Sequence, residues 1–197
     1  MHINYPNGLV EVVCGPMFAG KTEELIRRIK RLDYAKISYL VFKPLIDDRY
    51  NGYNLLVSHN KQKVKAISVQ HAQEINKYLQ KLEVKPEVII IDEAQFFDDN
   101  IIKVVDNLAD EGYRVIVGGL DRDFRGEPFG PMPGLLAIAE FVTKLHAVCV
   151  KSGKPATRTQ RIINEQPASY NDPILLVGAK ESYEPRSRQE HRIPGKK

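Results

Sequence analysis

From residue 9 to about 141 the chain alternates short unbroken apolar runs with stretches whose apolar residues recur every three or four positions. Leu9-Val10-Glu11-Val12-Val13, apolar apart from Glu11, predicts a buried strand. Leu25, Ile26, Ile29 and Leu32 then repeat at helical spacing over 23–32. Ile37-Ser38-Tyr39-Leu40-Val41-Phe42 predicts a second strand, stopped by Lys43-Pro44. A polar, turn-rich loop over 47–60 leads to a short strand at 64–69. Ala72, Ile75, Leu79 and Leu82 mark one helix face that ends before Pro86. Val88-Ile89-Ile90-Ile91, β-branched throughout, reads as a parallel strand buried on both sides. Ile101, Ile102, Val104, Val105 and Leu108 give a further helix, closed by Gly112, and 114–120 a further strand. A last helix is expected over 135–141.

Strand and helix in alternation predict an α/β core, a mostly parallel sheet flanked by helices, over 1–142. From Thr143 the pattern changes to short strand-like pieces at 145–150, 157–162 and 174–178. These predict a small β-rich appendage over 143–191, with a disordered tail at 192–197.

Composition narrows the classes. At 197 residues the chain suits one α/β domain with such an appendage. Its net charge of +4 is a mild excess, with acids interspersed, and predicts no nucleic-acid surface. Two cysteines, Cys14 and Cys149, exclude a disulfide scaffold, and Cys14 reads as a small buried filler. No apolar run is long enough to span a membrane, and residues 1–6 do not form a signal peptide, so a cytoplasmic location is expected.

The chemistry begins directly after the first strand. Gly15-Pro16-Met17-Phe18-Ala19-Gly20-Lys21-Thr22 fits the phosphate-loop pattern G-x-x-x-x-G-K-[ST] without a mismatch. Glycines let such a loop wrap closely and aim its N–H groups at phosphate, and the helix N-terminus behind it adds affinity for anions. Lys21 would reach the β- and γ-phosphates, and the Thr22 hydroxyl would ligate Mg²⁺. Asp92 and Glu93 stand at the C-terminal edge of the 88–91 strand, where open α/β sheets bind ligands. Asp92 is the Walker-B-type carboxylate, holding Mg²⁺ directly or through water. Glu93 has the character of a general base, acting on water in an ATPase or on an acceptor hydroxyl in a kinase. The 121–131 segment carries aromatics and charges just past a strand end, as a binding loop should. Asp47 and Arg49 are either solvated loop charges or neighbours of the phosphates.

Five segments taken in order, GPMFAGKT, IDEAQFF, GLDRDFRGEPFGP, TRTQR and LLVGAKESYEPR, make the chain resemble the thymidine kinases of the cellular, zinc-bearing type, the bacterial members above all. The resemblance implies a RecA-like P-loop core with a lasso or zinc-ribbon-like subdomain. It also implies ATP-dependent phosphorylation of thymidine, with deoxyuridine as a second substrate, a homotetramer, and feedback inhibition by thymidine triphosphate. By the same resemblance Glu93 is the catalytic base, and Asp92, Ala94 and Gln95 complete the ATP-binding partner of the phosphate loop. Met17, Phe96, Leu120, Phe124, Thr159 and Tyr183 would surround the nucleoside. Ile174, Leu175, Leu176, Val177 and Gly178 would hold thymine by their backbone, and Asp47 and Arg49 would lie near phosphates and metal.

One feature departs from that family. Its appendage is clamped by zinc on two Cys-x-x-Cys or Cys-x-x-His pairs, whereas the matching positions here are Cys149 and Ser152, then Ser187 and Glu190, with His191 one step beyond. Serine is a poor zinc ligand at neutral pH, so an appendage without zinc is expected, held by strand pairing and subunit packing; the alternative is a weak site from Cys149, Glu190 and His191.

Overall fold

A computed structural model describes residues 8–45, 55–57, 63–174 and 181–196. The elements are β1 (Leu9–Cys14), α1 (Lys21–Ala35), β2 (Tyr39–Pro44), β3 (Leu55–Val57), β4 (Lys63–Lys65), β5 (Ile67–Val69), α2 (Gln73–Gln80), β6 (Val88–Ile91), α3 (Asn100–Asp110), β7 (Arg114–Gly119), α4 (Met132–Ile138) and β8 (Phe141–Lys144). Beyond them lie β9 (Ala147–Val148), β10 (Pro155–Ala156), β11 (Arg158–Ile163), β12 (Gln166–Pro167) and β13 (Glu181–Arg186).

Six strands form one sheet in the order β5-β2-β6-β7-β1-β8, every pairing parallel. Parallel strands need helical crossovers, which here cover both faces. Because successive side chains alternate across a strand, Ile89 and Ile91 pack with α2, α3 and α4, while Ile90 packs with Leu25, Ile26, Ile29 and Leu32 of α1. This is a three-layer α/β/α sandwich. One acid interrupts the apolar run of β1. Glu11 accepts hydrogen bonds from Arg28 of α1 and from Arg114 Nε of β7 (2.6 Å), and Arg28 also reaches Thr143 Oγ1 of β8 at 2.9 Å. That network fastens α1 across the strands.

The elements differ from expectation in several places. The 64–69 strand is two: β4 pairs antiparallel with β3, and β5 joins the main sheet, with buried Ala66 where the chain changes partner. The last core helix starts earlier, at Met132, and the residues after it form β8. This edge strand exposes Phe141 and Val142, so its apolar pattern gave no strand signal, and the core sheet runs past residue 142 to Lys144. In the appendage, β13 pairs along the full length of β11. Polar and interrupted by Pro185, it has no apolar alternation to announce it. Residues 192–196, expected as a tail, bond to the appendage. Reciprocal bonds join Arg192 to Gln160 at 2.8 and 2.9 Å, and Pro194 O accepts from Tyr170 N at 2.8 Å. Their polarity hid partners that only tertiary contact supplies. Among the described residues no helix is long and apolar enough to cross a membrane.

Ile90 lies at the centre of the sheet with no exposure. Ile90→Ala should cost about 2–5 kcal/mol, the range for an isoleucine-sized cavity, read as a lower urea midpoint at unchanged slope.

Candidate active site

The phosphate loop joins β1 to α1. Gly15 has φ 147, and a Cβ there would stand 2.5 Å from the Leu145 carbonyl oxygen, so no side chain fits where the loop leaves the sheet. Phe18 (φ 65) and Gly20 (φ 82) turn the backbone through the left-handed region. The first helical hydrogen bond is Glu24 N to Gly20 O at 2.9 Å, which leaves the N–H groups of the first turn without acceptors inside the helix. Lys21 is buried and donates to Pro16 O at 2.9 Å, folding back across its own loop. Burial pushes its pKa down, while the charges of Glu93, Asp92 and Asp121 act the other way. Ala19 packs against Ala147, Cys149 and Ala156 of the appendage.

β6 delivers the acids. Asp92 is buried, and its Oδ1 accepts from Glu93 N at 2.9 Å. Gly118 of the adjacent β7 makes room, since a Cβ there would meet Asp92 Oδ1 at 2.9 Å and Leu25 Cδ1 at 2.7 Å. Glu93 has φ 53, a left-handed conformation that costs a non-glycine residue roughly 1–3 kcal/mol and concentrates at functional sites. A 3₁₀ turn over Ala94–Phe96 follows. Gln95 is a buried strut in that turn: its Nε2 donates to the Glu93 carboxylate, and its Oε1 accepts from Leu120 N at 2.9 Å. Ala94 faces the core behind it.

These pieces open onto one cleft of about 860 Å³, counting its open mouth. Lys21, Thr22 and Glu93 line it together with Met17, Phe96, Leu120, Phe124, Thr159, Ile174 and Tyr183. Thr159 Oγ1 accepts from Met17 N at 3.0 Å, tying β11 to the phosphate loop. Sequence reasoning did not single out Glu23, Arg122, Asp123 or Phe129, which also line the cleft. The aromatic and charged character of 121–131 was the available signal. Phe129 meets Phe96 edge-to-face at 5.5 Å. Asp123 Oδ1 accepts from Arg125 N and Glu127 N, each at 2.9 Å, and burial nonetheless pushes its pKa up. Asp123 therefore shapes the loop. Asp47, Arg49, Leu175, Leu176, Val177 and Gly178 lie outside the described residues.

The four knuckle positions do not make a zinc site. Cys149 is buried, which raises its pKa, but hydrogen bonds from the Ser152 hydroxyl and the N–H groups of Ser187, Lys151 and Ser152 outweigh burial and bring it to about 6. Ser187 Oγ is buried with no partner. His191 Nε2 donates to Phe124 O at 2.8 Å, which commits that ring nitrogen to the cleft wall. One thiol, two hydroxyls and a carboxylate fall short of the four good N or S donors zinc takes in structural sites. Among the described residues no three His, Cys, Asp or Glu side chains gather as a metal site.

A phosphate loop on one strand, with an Asp-Glu pair on a strand of the same parallel sheet, defines a P-loop nucleotide-binding protein. Residues 8–191 match the model of the thymidine kinase family, and the chain belongs to that family. It is accordingly an ATP-dependent kinase that phosphorylates a nucleoside.

Solved structures show a more distant likeness. The Legionella pneumophila ATPase DotB is 13% identical, over 77% of this chain and 44% of that one, with a TM-score of 0.44. The genome packaging NTPase B204 from Sulfolobus turreted icosahedral virus 2, solved with ATP-gammaS, is 20% identical over 71% and 75% of the two chains (TM-score 0.44). A third protein, described as an ATPase, is 15% identical over 79% and 73% (TM-score 0.47). This chain spans less than half of DotB. Likeness at this level says nothing of activity.

Gln95→Leu keeps the volume but frees the Glu93 carboxylate and orphans Leu120 N. Turnover should fall about 100-fold, the scale of a small misplacement at a reacting centre, with ATP-analogue binding unchanged by calorimetry.

Proposed function

We propose that this kinase transfers the γ-phosphoryl group of ATP to the 5′-hydroxyl of thymidine, with deoxyuridine as a second substrate, giving the monophosphate for deoxynucleotide salvage. One observation carries the reading: the phosphate grip of Lys21 and Thr22, the Glu93 carboxylate and a wall holding Phe96, Phe124 and Tyr183 share a single cleft.

Phosphoryl transfer through a loose transition state needs alignment and charge neutralisation more than covalent help. Lys21 supplies charge at the β- and γ-phosphates, joined by Arg49. Thr22 and Asp92 are hard oxygen donors of the kind Mg²⁺ takes, and the ion would neutralise the phosphate oxygens there. Glu93 accepts the proton of the 5′-hydroxyl as its oxygen bonds to phosphorus, and Gln95 holds that carboxylate in place. Met17, Phe96, Leu120, Phe124, Thr159 and Tyr183 enclose the nucleoside, and family resemblance assigns the thymine to 174–178 and the phosphates to Asp47, of which only Ile174 is among the described residues. A pocket closed in this way keeps water from the γ-phosphate. Family resemblance supports a cytoplasmic homotetramer inhibited by thymidine triphosphate.

ATP consumption with Mg²⁺ should depend on thymidine and not respond to deoxycytidine or deoxyadenosine. Hydrolysis independent of thymidine would instead mark an ATPase. Glu93→Gln should retain ATP and thymidine binding while losing roughly 10²–10⁴-fold in turnover, the usual weight of a general base. Unchanged turnover would remove Glu93 from that role.

A further inference from the structure

Residues 191–196 bond to the Phe124 loop, which lines the cleft, and to β11 beside the cleft residue Thr159. At the loop, His191 Nε2 donates to Phe124 O at 2.8 Å, Lys196 Nζ donates to Arg125 O at 2.7 Å, and the Lys196 ammonium lies 3.7 Å from the Glu127 carboxylate. On β11, Arg192 N donates to Gln160 Oε1 at 2.8 Å and Gln160 Nε2 donates back to Arg192 O at 2.9 Å. Gln160 is fully buried on β11, next to Thr159 of the cleft. Further along, Tyr170 N donates to Pro194 O at 2.8 Å, and the Tyr170 hydroxyl reaches Glu127 Oε1 at 2.9 Å. Tyr170 belongs to the loop that runs into Ile174, and Arg125 grips the same loop through Asp172 O at 2.7 Å.

We propose that this segment is a buckle, fastening the Phe124 loop to β11 and to the loop before Ile174, and so doing the holding that zinc does in the zinc-bearing members of the family. The residues at the positions matching the zinc pairs give such a device a role. A zinc ion would cross-link 149–152 to 187–190; here Cys149, Ser152, Ser187 and Glu190 stand at those positions, and beside them Val150 N donates to Pro185 O at 3.2 Å. The last knuckle neighbour, His191, is the first residue of the buckle, so the same stretch of chain carries the load a few residues further on. Lys196 is a positioning residue: it holds the main chain at Arg125, beside Phe124, and touches no reacting atom. The inference rests on the reading of the cleft as the nucleoside site.

The test compares the full chain with a variant ending at Arg192, and with Lys196→Ala and Lys196→Arg. The exposed Lys196 changes guard against a shortened chain that fails to fold. The shortened chain and Lys196→Ala should raise KM for thymidine about tenfold, the weight of a lost hydrogen bond or two, with kcat within about twofold and ATP-analogue affinity unchanged. Lys196→Arg, which keeps the charge and the donors, should restore KM. In all forms elemental analysis should find no zinc, and a chelator should leave the melting temperature unmoved. Hydrogen exchange over 121–130 and 168–174 reads the fastening itself, whatever the cleft binds, and should quicken in the shortened chain. Unchanged exchange and KM, or stoichiometric zinc whose removal lowers the melting temperature, would overturn the buckle. A full chain without thymidine-dependent turnover, but with quickened exchange on shortening, would overturn the nucleoside reading and leave the buckle standing.

Discussion

The parallel register of β6, β7 and β1 is the constraint on which the site depends. Cys14 pairs with Gly119, and Ile91 with Val117, so the phosphate loop and the Asp92-Glu93 pair emerge from one sheet edge on either side of β7. A one-residue slip in any of these strands would turn its inward side chains to the opposite face and bury the wrong set. Isoleucine on both faces of β6 makes that slip expensive, because Ile89, Ile90 and Ile91 are all fully buried in two separate clusters. β7 contributes by what it lacks. Gly118 leaves space for Asp92, and Gly119 for Gln95, whose Oε1 would stand 2.9 Å from a Cβ at that position.

The second dependence is the strap from the β-rich appendage to the core. Thr159 receives Met17 N–H from the phosphate loop, and its neighbour Gln160 receives the segment past the knuckle. A single strand therefore touches the phosphate grip and the far wall of the cleft. Arg161, next on β11, lies with its guanidinium carbon 5.3 Å from the centre of the Phe124 ring and donates to Pro173 O. Arg125 stands 5.4 Å from the same ring. Two guanidinium groups thus approach the Phe124 ring, whose negative π-face attracts cations.

Glu93 shows how local strain and function meet. Its left-handed backbone is unfavourable alone, yet β6 on one side and the 3₁₀ turn on the other over-determine it, and Gln95 grips the carboxylate. The result is a carboxylate whose direction is set before any ligand arrives, the preorganisation that the proposed proton transfer would use.

How legible all this was depends on distance along the chain. Local signals gave the core: four buried β-branched residues could only be an inner strand, Leu25 to Leu32 at helical spacing only a helix, and the glycine-bounded loop between β1 and α1 only a phosphate grip. They also gave Thr22, Asp92 and Glu93, because these stand within a few residues of such elements. β8 and β13 were illegible, since an exposed edge strand and a polar strand with a proline acquire their identity from the neighbour they pair with. Arg122, Asp123 and Phe129 were visible only as a charged aromatic loop, and the order at Arg192 and Pro194 not at all, because their partners Gln160 and Tyr170 lie many residues back. The sequence by itself determined the nucleotide-binding core and the shortage of zinc donors, both written in residue type and short spacing. The tertiary structure decided which walls close the cleft and what fastens them, because hydrogen bonds between distant segments have no periodicity to read.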